Sequence, residues 1–97
     1  MIQDQIVKYP IKLKRVCWRN FKYLVYLPDF SGYTAGIDYD NALFMARDYI
    51  GTRSLFNELP QATKVLPEET EDELSLFVKV NITDFRRQYG VKTTGFL

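Results

Sequence analysis

From Val7 onward apolar and polar positions alternate, with Val7, Tyr9, Ile11 and Leu13 on one side and Lys8, Lys12 and Lys14 on the other, after a loose polar start up to Gln5. That period of two is the signature of a strand with one buried face, so the lysines project to solvent or to a ligand. Trp18-Arg19-Asn20 reads as a hairpin turn, with Asn20 suited to a left-handed conformation. Phe21, Tyr23, Val25 and Leu27 carry the apolar face into a second strand. Leu24 and Tyr26 leave its opposite face less polar than full solvation calls for. Pro28 lacks a ladder donor and Asp29, Ser31 and Gly32 are turn formers, so the chain reverses there. Tyr33-Thr34-Ala35 makes a short return strand, and Gly36 permits a sharp change of direction.

Asp38 then suits an N-cap, and Asp40 a first-turn acid, for a helix from near Tyr39 to about Phe56. Tyr39, Ala42, Leu43, Ala46, Tyr49, Ile50 and Arg53 recur at three- and four-residue steps, a stripe able to lie on a sheet, while Asp40, Arg47 and Asp48 fall to the other side. Gly51 either weakens the helix by about 1 kcal/mol relative to Ala or ends it early. From Asn57 to Glu73 the composition shifts. Pro60 and Pro67 bracket Val65-Leu66, and Glu68-Glu69-Thr70-Glu71-Asp72-Glu73 carries too many like charges to fold by itself. So long a connection is either mobile or functional. Leu74, Leu76, Val78, Val80 and Ile82 alternate with Ser75, Phe77, Lys79 and Asn81. A right-handed crossover would set this strand parallel to an earlier one. Thr83 or Asn81 can cap a short helix from Asp84 to Tyr89, ended by Gly90. The remaining residues, 91–97, are too few for a further domain. The expectation is one α+β domain over residues 1–97, with a core from about 6 to 89, built as β-β-β-α-β with one main helix packed on the sheet.

Ninety-seven residues make one domain with a modest core, and a net charge of +1 gives no global attraction to nucleic acid. The charge is nevertheless segregated: Lys8, Lys12, Lys14, Arg15, Arg19 and Lys22 precede Ile37, whereas acids dominate from Asp38 to Asp84. A basic sheet region beside an acidic loop follows. Seven Tyr, seven Phe and one Trp exceed what so small a core needs, which directs some rings to an interface. The single Cys17 cannot form an intrachain disulfide and reads as a small packed side chain. No apolar run approaches the roughly 20 residues that span a bilayer, and Met1-Ile2-Gln3-Asp4 lacks the start of a signal peptide, so a cytoplasmic protein is expected.

With no His, the Ser-His-Asp, Cys-His and zinc arrangements are excluded, and no Gly-rich phosphate loop appears. Asp29, Asp38 and Asp40 could in principle gather magnesium, but turn, cap and helix-dipole roles account for them. Neither an enzyme nor a cofactor or metal site is expected.

The run from Tyr23 to Ala42 also carries a resemblance. It is similar to the HicB-like antitoxin family, whose hallmark is a tyrosine-rich strand, a Phe-Pro-Asp-Leu-Pro-Gly-Cys type turn, a Gly, and a helix opening with Thr and two acids before Ala. Here Tyr23, Leu27-Pro28-Asp29-Phe30-Ser31-Gly32, Gly36, Asp38, Asp40, Asn41 and Ala42 take those places. Tyr9-Pro10 suits the family's opening strand and Asp84-Phe85-Arg86-Arg87-Gln88-Tyr89 the segment after its last strand. Phe30-Ser31 stands for Leu-Pro, Tyr33 for Cys and Asn41 for an acid. The resemblance implies a partial ribonuclease H-like sheet without catalytic acids, which binds a small basic HicA-like toxin that cleaves mRNA and blocks its active site. Family members commonly continue into a DNA-binding segment. Taken as complete, this sequence has none after the domain, and direct operator binding is not expected.

Apart from the resemblance, an acidic loop suits a basic partner, which makes Glu68, Glu69, Glu71, Asp72 and Glu73 the candidate toxin contacts, acting mainly by electrostatic steering. A second reading is an RNA-binding module. Lys8, Lys12 and Lys14 line one strand face, while Arg15, Trp18, Arg19, Phe21 and Lys22 set basic and aromatic groups around the first hairpin. Near-zero net charge and the lack of an RNP-type motif count against it. An exposed sheet edge and the apolar face at Leu24 and Tyr26 lead to the expectation of a homodimer.

Overall fold

The structure, a computed structural model, describes residues 3–89. Its elements are β1 (Ile6–Trp18), β2 (Phe21–Leu27), a 3-10 turn (Pro28–Phe30), β3 (Gly32–Gly36), α1 (Tyr39–Phe56), β4 (Glu73–Asn81) and α2 (Ile82–Gln88). The four strands form one sheet in the order β3-β2-β1-β4, antiparallel at every pairing. It is an α+β fold in which the expected short helix after the last strand is present and begins at Ile82 rather than Asp84.

Strand alternation puts Tyr9, Ile11, Leu13, Val25, Leu27, Val78 and Val80 on one face, where they are buried with Ala42, Ala46 and Ile50 of α1. Asp38 caps that helix, its Oδ1 accepting from the Asn41 N–H at 2.8 Å, and Asn41 Oδ1 accepts from the Ile37 N–H at 3.0 Å. The exchange satisfies two backbone donors at the helix entry. Tyr39 and Arg53, expected on the packed stripe, sit at its margin, and Gly51 and Ser54 are buried instead. Small side chains let the helix approach closely: a Cβ on Gly36 would lie 2.5 Å from the backbone of Ala42. Of the motif positions, Gly36, Asp38 and Ala42 thus serve the strand-to-helix corner. Pro28 opens the 3-10 turn, and Gly32 lies beneath the Tyr49 hydroxyl.

Three expectations need correction. The last strand is not inserted in parallel beside an earlier one: its sheet neighbour is β1, to which β4 is antiparallel over Ile6↔Asn81 to Lys14↔Glu73. Residues 57–72 carry the chain back to the other end of the sheet before β4 begins, so the crossover rule for a helix leading straight into a strand does not apply. In the first hairpin Arg19, not Asn20, takes the left-handed conformation (φ 57°). Cys17 is exposed rather than packed, because the β1–β2 register slips between Arg15 and Trp18 and that irregularity re-aims the side chains within it. Asn81, one of the two candidate caps, accepts from the Asp84 N–H at 2.9 Å and starts α2. The expected stop at Gly90 and the segment 91–97 lie outside the described residues.

Candidate functional site

The connection between α1 and β4 is tied down along its length. Leu59 and Ala62 pack against the core, and the buried Tyr9 hydroxyl donates to the Pro60 carbonyl at 2.5 Å. Burial, and secondly the charge of Asp29, push the Tyr9 hydroxyl above its ordinary pKa. Thr63 donates to Asp29 through its N–H at 2.8 Å and its hydroxyl at 2.5 Å. Further on, Glu69 Oε2 accepts from the Ser75 N–H on the outer strand β4 at 3.0 Å, and the Arg15 N–H donates to the Asp72 carbonyl at 3.3 Å.

This scaffold sorts the five candidate acids. Glu69 is spent on the β4 edge. Glu73 pairs with Lys12 at 3.2 Å and accepts from the Thr70 hydroxyl at 2.9 Å; the Thr70 hydrogen bond first, then Lys12, holds its carboxyl below the usual range. Asp72 accepts from the same hydroxyl at 3.2 Å. Glu68 and Glu71 are exposed and have no hydrogen-bond or ion-pair partner among the described residues. The acidic turn forms one wall of an open recess of about 540 Å³, facing Tyr23, Tyr39 and Arg15. Carboxylates opposite aromatic rings suit a cationic side chain, a charge that Arg15 partly offsets.

The residues expected to bind RNA do not form one patch. Lys8, Lys12 and Lys14 share the sheet face turned away from α1, with Lys8 lying 4.7 Å over the Phe77 ring. Trp18 and Arg19 sit at the hairpin end, where Trp18 stacks on Phe21 at 5.8 Å and Arg19 covers Trp18. At about 3.3 Å of rise per strand residue, that end is roughly 30 Å from Lys8. Arg15 and Lys22 instead border a recess beside Cys17 and Tyr23. Phe77 and Lys79 of β4 and Tyr33 of β3 also join the lysine face, which no local pattern signals and only the antiparallel register reveals.

Asp29 holds Thr63 and Asp38 caps α1, and among the described residues no three His, Cys, Asp or Glu side chains are grouped to hold a metal ion. None of the described helices is long and apolar enough to cross a membrane. No protein-family model matches the chain, and no curated protein sequence matches it. Among solved structures it is similar to a chain of a "Toxin-Antitoxin complex from Streptococcus pneumoniae", with a TM-score of 0.66 and 20% sequence identity over 84% of this chain and 73% of that one. At that identity the likeness is one of fold.

Proposed function

We infer that this chain is an antitoxin-type protein of the HicB-like kind, which holds a small basic, HicA-like, mRNA-cleaving toxin by protein–protein contact and covers its active site, with no catalytic step of its own. The observation that supports it most is the pinned acidic turn, with Glu68 and Glu71 directed to solvent from a loop fastened at Tyr9, Asp29 and Ser75. An ordered loop loses less conformational entropy on binding than a free tether does. Its carboxylates accelerate encounter with a basic partner, more so at low salt. The shared fold with a chain of a toxin–antitoxin complex points the same way.

A partial ribonuclease H-like sheet, action in the cytoplasm where mRNA is cleaved, and a homodimer belong to the same reading. Glu69 already occupies the outer edge of β4, whereas β3 is the other outermost strand, which makes β3 the edge offered to a second copy. Co-expression with a small basic HicA-like protein, sought first in the neighbouring open reading frames, tests the proposal. The pair should co-purify, and ribonuclease activity should vanish on mixing. E68K/E71K should slow association roughly tenfold at low salt while leaving the melting temperature unchanged. Activity that persists at stoichiometric mixing refutes the reading. A monomeric mass at high concentration refutes the dimer alone.

A further inference from the structure

The sheet face turned away from α1 gathers groups that the antitoxin reading leaves unused. Lys8, Lys12 and Lys14 of β1 and Lys79 of β4 all project there, and the strands place one acid among them, Glu73, which is already paired with Lys12. Lys8 and Lys79 stand directly opposite each other across β1 and β4. Like charges in that relation destabilise a sheet. Neither lysine forms an ion pair among the described residues: Lys8 leans on the Phe77 ring, and Lys79 borders a recess that Asp48 and Asp84 also line. Beside them Tyr26 and Tyr33 lie ring against ring with centroids 4.8 Å apart and 32° between planes, and Tyr33 is 60% exposed. These two rings, with Lys12, Lys14, Leu24 and the Glu73 paired to Lys12, border a recess of about 220 Å³.

A ligand suited to this face is a polyanion that also carries flat rings. Phosphates neutralise lysines and bases stack on exposed aromatic side chains, whatever the base sequence. An acidic peptide would meet the lysines and leave the tyrosines unused, and a duplex keeps its bases stacked inside. We propose that this face binds single-stranded nucleic acid, with Tyr33 and Tyr26 stacking bases and Lys8, Lys14 and Lys79, which form no ion pair among the described residues, meeting phosphates. The surface meets the acidic turn at Glu73, which pairs with Lys12, whereas Glu68 and Glu71 do not line the recess between the tyrosines and lysines, so the proposal does not rest on the toxin partner.

Fluorescence anisotropy on the full chain tests it with labelled oligouridylate RNA, oligothymidylate DNA of equal length, and a duplex of equal length. Both single strands, or the RNA alone if the 2′-hydroxyl is read, should bind better than the duplex. The slope of log affinity against log salt should be about −2, as three phosphate contacts on a single strand require. Y33A should lower affinity about 5- to 100-fold, and K14A/K79A should make the slope shallower by about one unit. E68K/E71K, which impairs the acidic turn, should leave oligonucleotide binding in place. Absence of binding at low salt overturns the proposal. So does equal binding of the duplex, or an affinity indifferent to Y33A while the melting temperature is unchanged. If Y33A weakens a protein partner and no oligonucleotide binds, the face is a protein interface and the proposal fails.

Discussion

The carboxylate of Asp29 receives both the N–H and the hydroxyl of Thr63, 34 residues further along the chain. This double contact fastens the connection between α1 and β4 to the turn between β2 and β3. Asp29→Ala should therefore loosen residues 57–72 selectively, costing about 1 kcal/mol of stability for the lost hydrogen bonds. Amide exchange should quicken in that segment and stay slow in β1. Thr63→Val, which removes only the hydroxyl, should give a smaller effect in the same amides.

Tyr9 is the second anchor, and its loss should be felt at alkaline pH. Tyr9→Phe leaves the Pro60 carbonyl without its donor, a cost of about 1 kcal/mol. Because burial and Asp29 raise the folded-state pKa above the unfolded value of about 10, the contribution is complete below that value and is lost as pH climbs through the folded pKa. Denaturant titrations from pH 7 to 11 should show a falling alkaline limb that is shallower in Tyr9→Phe.

Glu73 should govern the acid side. Hydrogen bonds from Thr70 and Lys12 depress its pKa, so its contribution is present above the ordinary glutamate value of about 4.3 and disappears as pH drops through the lower folded value. Glu73→Gln should flatten stability in that window and make the Lys12 ammonium more mobile by NMR.

Gly51 to Ala is a substitution that helix propensity alone misjudges. In an open helix it would gain about 1 kcal/mol, but here the new Cβ would sit 2.4 Å from the Phe85 ring of α2. The expected outcome is a net loss of about 1–3 kcal/mol from overpacking. Measured again on a Phe85→Ala background, the same change should turn stabilising. A gain in both backgrounds would contradict the packing.

Ser75 offers the opposite case. Its side chain is buried and its Oγ has no hydrogen-bond partner among the described residues. Ser75→Ala should raise stability by about 1 kcal/mol, read as a higher melting temperature, since the backbone N–H that binds Glu69 is retained.

Local patterning made the elements legible. Alternation marked β1, β2 and β4, and turn residues marked the reversal after Leu27. Asp38 announced a helix whose observed range, Tyr39–Phe56, coincides with the expectation. The acidic composition of 68–73 was equally plain, but not which carboxylates are consumed. Glu69 and Glu73 meet Ser75 and Lys12 only once β4 is in place. Lys79, one residue in a strand pattern, gains meaning only opposite Lys8.

What the sequence by itself determined, then, is the set of strands and helices and the side on which each buries its apolar residues. Those follow from dihedral preferences and side-chain periods that act over a few neighbouring residues. Tertiary structure alone decided that β4 enters antiparallel to β1, that Thr63 finds Asp29, and that four lysines and two tyrosines share a helix-free face. Such pairings join residues tens of positions apart, and they are selected by the burial and hydrogen bonding of the whole sheet, which no short stretch of chain encodes.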